Sequence, residues 1–355
     1  MSHFSLYAIY GIARGEVLGE RFDVSRLPFE IVPGVCIEDV SKCIREDEFK
    51  YVEKNLGSRA VGDLKDVHYA LVHRFDGQAT FESSGMIPEH KHVENSEVML
   101  RNLNACLRLI RPMRQTASHM TGTFREDGTF NISSFNSSIE MMEVPQVHKL
   151  FLLRDQDADD LRTYAPLFLN AMKGCWKFMM AAQYHELGYW QLDQFRKSRY
   201  MLWSSAIESI YTTQDRQHRG GVVGKARIKW FLGENTSIYD DGDIPDTLEQ
   251  PDPPITIGNV VDDLYSVRNI LAHGGRILDK YGETLRQGLN GPLTIYDVLF
   301  EAQSFIIRKS LLKILRERLT PDFADDTPAQ AYFARNNLTL NNIIRSQRAA
   351  SPPVV

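Results

Sequence analysis

"SVRNILAHGG", residues 266–275, closes an apolar-periodic run and leads directly into a glycine pair. The spacing predicts a helix over 259–273. On a wheel at about 100° per residue, Val260, Leu264, Val267 and Leu271 fall within roughly 60° of one another and make a core seam. Asn269 and His273 are four apart and stack on one face. That face lies roughly opposite the seam, with Arg268 between the two. The polar end of His273 is therefore expected to point away from its own core, towards solvent, a ligand or another subunit. A plainer account covers the same residues. A histidine in the last turn before a glycine is a favourable C-terminal cap, and Arg268 can pair with an acid on a neighbouring helix. Spacing alone decides little, because "RQTASH" sets Arg114 and His119 equally far apart without the asparagine, the seam or the glycine stop.

Outward from this stretch, everything after about residue 155 has a helical period. Asp157, Asp159 and Asp160 suit the positive end of a helix running to about 187. A second helix is expected over 191–213, with Leu192, Phe195, Leu202, Trp203, Ile207 and Ile210 at helical spacing. A shorter one covers 223–232, and the last, begun by Thr294 and Asp297, covers 294–318. "DDGDIPDTLEQPDPP" (240–254) is an acidic, proline-rich loop. These helices make an all-α bundle over 151–320. The tail, 321–355, is expected to fray.

The first 150 residues read differently. "FSLYAIYGIA", "FEIVPGVCI", "HYALVHRF" and "TFREDGTFNISSF" are short apolar or alternating runs bounded by Gly, Pro and Asp, hence strands. The last predicts a hairpin around Asp127-Gly128. Helices are expected at 46–56 and 95–111. The fold class is thus an α+β domain over 1–150 followed by an all-α domain.

Composition narrows the function classes. The 355 residues carry a formal net charge of -5, so nucleic-acid binding would need a local basic patch. Cys36, Cys43, Cys106 and Cys175 show no CxxC and read as reduced thiols of a cytosolic protein. No basic region precedes a long apolar run at the start, and no window reaches the roughly 18 apolar residues of a membrane span. A cytoplasmic protein, with no membrane partner, is expected.

R-N-x-x-x-H on the third main helix of a bundle, followed by Gly, resembles the HEPN family. "LWSSAIESIYT" (202–212) looks like that family's second helix, with its Ile-Glu pair. The spacing filled by "GKARIKWFLG" and the acidic loop resembles the Apea-like branch in particular. The resemblance covers about 155–318 and leaves the first 150 residues unexplained. It implies a HEPN-like four-helix bundle and a metal-independent endoribonuclease, with Arg268 and His273 of two protomers meeting at a homodimer interface and Asn269 supporting them. It also implies a role in stress or phage defence, restrained by a trigger or regulator that the N-terminal domain binds. Some members of the family have lost catalysis and bind RNA or protein partners instead, which is the alternative here.

The chemistry suits these residues. RNA brings its own nucleophile, the 2′-hydroxyl, so cleavage needs a proton acceptor, a proton donor and a cation near the phosphate. Histidine exchanges protons near neutral pH. Arginine offers a planar charged fork to phosphate oxygens as negative charge builds. Asn269 can either orient the imidazole or hold a phosphate oxygen. Glu208 either pairs with Arg268 or caps a buried polar position. Lys225, Arg227, Lys229 and Arg276 are candidates for a basic rim along the RNA backbone, or are solvated surface charges. No cofactor and no metal are expected. "PEHKH", with His90 and His92 in an expected loop and His68 and His73 nearby, lacks convergent ligands. Asp240, Asp241, Asp243 and Asp246 lack calcium-loop spacing. Gly220, Gly221, Gly224 and Lys225 lack the order of a phosphate loop, and no serine sits in a nucleophile elbow.

Overall fold

The computed structural model describes residues 2–9, 22–65, 67–76, 88–111, 117–138, 153–189, 196–213, 216–239, 254–288 and 291–350. The chain divides into two units, and the divide falls inside one helix, Asp155–Gly174. Its residues up to Leu169 go with the first unit and the remainder with the second. The first unit thus runs past residue 150, where composition and period change.

The first unit is an antiparallel sheet with helices on both faces. Its strands are β1 (Ser2–Ile9), β2 (Phe29–Val32), β3 (Val35–Asp39), β4 (Tyr69–Asp76), β5 (Ala117–Phe124) and β6 (Phe130–Ser138), in the order β2-β3-β4-β1-β5-β6. Alternation along β1 sends Phe4, Leu6 and Ala8 to one face and Ser5 and Tyr7 to the other. The first set packs with Val72, Met120, Phe130 and Phe135 against α1 (Glu46–Leu56) and α2 (Ser58–Lys65), through Val52, Ala60 and Leu64. The opposite face is covered by α3 (Pro88–Ile110). The β5–β6 turn forms where Asp127-Gly128 predicts it, with the Asp127 carboxylate accepting from Thr129 N at 3.0 Å. Two expectations need correction. Helix α3 starts at Pro88, not near residue 95, because proline suits a first helical position; "PEHKH" therefore lies on a helix rather than a loop. Helix α2 is not foreseen from the sequence, because Gly57 just before it and Gly62 within it interrupt its period.

The second unit is mostly helical. The run expected to be one helix to 187 is two: α4 (Asp155–Gly174) and α5 (Trp176–Tyr189). At the break, Trp176 N donates to Ala324 O at 2.7 Å and the Cys175 thiol to Phe323 O at 2.8 Å. A distant loop thus satisfies what the helix gives up. There follow α6 (Arg196–Tyr211), α7 (Arg216–Leu232), α8 (Ile257–Ala272), a hairpin of β7 (Thr284–Gly288) and β8 (Gly291–Thr294), and α9 (Ile295–Arg316). Helix α9 is buried along every residue from Val298 to Arg308 and touches α5, α6, α7 and α8, so it forms the unit's central element. Its expected start is borne out: Thr294 and Asp297 form a reciprocal capping box.

The tail does not simply fray. Residues 326–335 and 340–350 form α10 (Asp326–Arg335) and α11 (Leu340–Ala350). Ala329, Phe333 and Ile343 are buried. Lys177, itself buried, donates to Asp326 at 2.7 Å. These anchors are sparse in sequence and their partners are distant, Phe333 lying against Tyr211 of α6 and Arg227 of α7, so no local pattern announces them. Among the described residues, no helix is long and apolar enough to cross a membrane.

Candidate functional site

Helix α8 begins with a capping box in which Thr256 and Asn259 bond reciprocally. Val260, Val261, Leu264, Tyr265 and Val267 are buried, so the seam read from the wheel exists, although Leu271 is only half-buried. The helix ends as the plainer account expects. His273 is the C-cap residue, Gly274 takes φ 70°, and Gly275 N donates to Ile270 O at 2.8 Å while Gly274 N donates to Leu271 O at 3.1 Å. This pair of bonds closes the last carbonyls of the helix, and glycine carries the left-handed backbone at little cost.

Arg268 reaches across to α6. Its Nη2 lies 2.9 Å and 3.0 Å from the two carboxylate oxygens of Glu208, and its Nη1 donates to Asn269 Oδ1 at 3.2 Å. Glu208 therefore takes the first of its two expected roles. The contact that the structure gives Asn269 is to Arg268, its side-chain oxygen accepting from the guanidinium. Asn269 and His273 are exposed, and among the described residues the His273 imidazole has no partner. Arg268 is thus a fixed, half-buried cation on the flank of a helix whose outer face presents an amide and a free imidazole.

Behind Arg268 lies a cavity of about 10 Å³, lined by Ser204, Glu208, Tyr265, Arg268 and Gln303. Three polar atoms of its lining are buried without a partner among the described residues: Arg268 Nε, the Tyr265 hydroxyl and Gln303 Oε1. Burial pushes the Tyr265 hydroxyl well above the ordinary tyrosine range, so it stays protonated. Sequence reasoning found neither Tyr265 nor Gln303 as neighbours of the site, since nothing in their local pattern distinguishes them from core residues.

The expected basic rim does not form as a set. Arg227 is 1% exposed, and its guanidinium donates to Tyr211 O at 3.0 Å, Thr213 Oγ1 at 3.3 Å and Leu338 O at 3.2 Å. It is an internal clamp and is withdrawn from the rim. Lys225 pairs with Asp262 at 2.7 Å; Lys229 lies 3.4 Å from both Asp262 and Glu234. The hydrogen bond from Lys225 holds the Asp262 carboxyl below its usual range, and burial opposes this only in part. Arg276 alone of the four is exposed without an ion pair among the described residues.

Elsewhere, Gly221 and Gly224 make room for the Tyr265 ring, which explains the glycine cluster of α7 without a phosphate loop. Among the described residues, no three His, Cys, Asp or Glu side chains converge on a point where a metal ion would sit. The decoy residue His119 lies in β5 and is bonded to Ser5, its Nε2 2.9 Å from Ser5 Oγ. Comparison of the chain with family models, with curated proteins and with solved structures returned no match.

Proposed function

We propose that the second unit is a HEPN-like helical module that cleaves RNA without a metal, using Arg268 and His273 of two copies of the chain. The observation that supports this most is the arrangement on α8. A guanidinium oriented by Glu208 and Asn269 precedes, on one helix, an exposed imidazole that has no partner among the described residues. In this reading the 2′-oxygen attacks phosphorus and the 5′-oxygen leaves. One His273 takes the 2′-hydroxyl proton and His273 of a second copy returns one to the 5′-oxygen, while Arg268 neutralises the phosphorane charge. The products are a 2′,3′-cyclic phosphate and a 5′-hydroxyl. A single copy offers a wet site, and a second one would wall it and double its positive charge. The first unit acts as the sensor of a trigger, and the chain works in the cytoplasm as a restrained effector of stress or phage defence.

One observation favours the second reading, a non-catalytic module that binds RNA or a protein partner. The charge of Arg268 is already matched by Glu208, and His273 already serves as a helix cap. Overexpression separates the two. Growth arrest by the wild type, relieved by His273→Ala, together with chelator-resistant cleavage by purified protein, supports the enzyme. Folded dimer that binds RNA and never cuts it overturns catalysis.

A further inference from the structure

A groove of about 560 Å³ lies beside the motif, between the first turns of α6 and the C-terminal end of α8. Its walls include Met201, Leu202 and Leu271, all half-buried, and its lining also takes in Lys197 of α6 and Gly274 just after α8. Its volume is that of a small-ligand pocket. Lys197 is exposed and, among the described residues, makes no ion pair or hydrogen bond, whereas the adjacent Arg196 is held by Asp297.

Lys197, Met201, Ser205 and Glu208 follow one another at intervals of four, four and three, so they share one face of α6. At 1.5 Å per residue, Lys197 stands roughly 16 Å along the axis from Glu208, a span of a few nucleotides of extended strand. The groove therefore continues the face that holds Arg268 in place. Lys197 is the charged side chain in its lining, so it is the group there that can receive a phosphate. Aliphatic walls and a polarisable methionine suit the face of a base. The Ser205 hydroxyl donates to Met201 O at 3.0 Å, which leaves its oxygen free to accept from a base amino group. A β-carbon on Gly274 would meet nothing within 4 Å, so a strand can pass close to the backbone there.

We infer that this groove seats one nucleotide of a single-stranded RNA, with its base between Met201 and Leu271 and its phosphate on Lys197. The inference rests on the ribonuclease reading and adds to it a subsite that fixes where along the strand the cut falls.

The test uses the full chain and a short fluorescent single-stranded RNA with 2′-O-methyl riboses, which lacks the attacking hydroxyl. Lys197→Glu is expected to weaken binding on the order of tenfold, and to lower the slope of log affinity against log salt by about 1. Lys197→Arg should restore the slope. Met201→Ala should weaken binding several-fold with the slope unchanged. Wild-type affinity and slope in both Lys197→Glu and Met201→Ala overturn the groove, as does a Lys197→Glu chain that changes oligomeric state while binding RNA normally. A wild type that cuts RNA beside groove variants that bind and cut identically overturns the inference alone. A wild type that binds through Lys197 and cuts nothing overturns catalysis alone, and one that binds no RNA overturns both.

Discussion

The hydroxyl of Tyr265 occupies the place that a β-carbon on Gly224 would take, so α7 and α8 approach each other at a point where only glycine fits. The Tyr265 ring lies directly behind Arg268, in the wall of the same small cavity. Gly224→Ala gains about 1 kcal/mol of helix propensity but forces a buried ring aside, which costs about 1–3 kcal/mol. The expected outcome is net destabilisation. Adding Tyr265→Phe removes the clashing oxygen and should restore part of the loss. Denaturant unfolding of the two single variants and the double variant checks it; a Gly224→Ala chain as stable as wild type would show that the helices can move apart.

Arg268 and Glu208 should behave as a coupled pair. Both side chains are 30% exposed, so their coupling in a double-mutant cycle should be modest, up to about 1 kcal/mol. Cleavage should suffer more than stability in Glu208→Gln, because a loosened guanidinium no longer meets the phosphate in one orientation. Additive effects on both stability and cleavage would show that the pair holds nothing in place.

His273 lies off the core, so His273→Ala should leave the unfolding free energy within about 0.5 kcal/mol of wild type. Cleavage should drop by about 10²–10⁴-fold, the usual contribution of a general acid–base group. Equal cleavage rates in a folded His273→Ala protein would remove histidine from the mechanism.

Arg227 is expected to matter for the fold rather than for RNA. Its bonds to Tyr211, Thr213 and Leu338 join α7 to the end of α6 and to the segment before α11. Hydrogen bonds to a charged donor contribute about 1.5–3 kcal/mol, so Arg227→Ala should lose on the order of 3 kcal/mol. Proteolysis should begin at 340–350, where the Leu338 carbonyl has lost its donor. An Arg227→Ala chain with normal stability and weakened RNA binding would return this residue to the rim.

The first unit should lose stability in mild acid. His73 Nδ1 bonds Ser96 Oγ at 2.7 Å under α3, and His119 faces Ser5 and Tyr7 on β1 together with Glu97 and Arg101 on α3. Burial lowers both histidines below their ordinary value of 6.5; Glu97 opposes the shift at His119. Below pH 6.5 the unfolded chain then binds more protons than the folded one, so this stability is complete above 6.5 and declines as the pH falls towards the folded values. Calorimetry from pH 7.5 downwards should show the decline, and His73→Asn should flatten it. A transition independent of pH over that range would mean that these half-buried imidazoles charge without penalty.

Much of the first unit was legible because strands between two helical layers leave local marks: β-branched and aromatic runs, and an Asp-Gly turn whose backbone needs are met within a few residues. The start of α9 was legible for the same reason, its capping box lying within four residues. The break at Cys175 and the helices after residue 325 were not, since Phe323, Ala324 and Asp326 supply the bonds from about 150 residues away. At the candidate site, the outward face of Asn269 and His273 and the glycine stop could be read from period alone, and Glu208 could be named as one of two options.

The sequence by itself determined the change from alternating to helical period, the apolar seam of α8, and the composition of the motif at its end. Each of these depends on residues a turn or two apart, where spacing and side-chain chemistry suffice. Only the tertiary structure decided that Glu208 grips Arg268, that Arg227 is buried while Lys225 and Lys229 are tied to Asp262, and that Lys197 has no partner among the described residues and stands beside a groove. A lysine or arginine looks the same in sequence whether its charge is spent or available. That difference is set by which carboxylates and carbonyls the folded chain brings within about 3 Å, a distance over which charge-assisted bonds form.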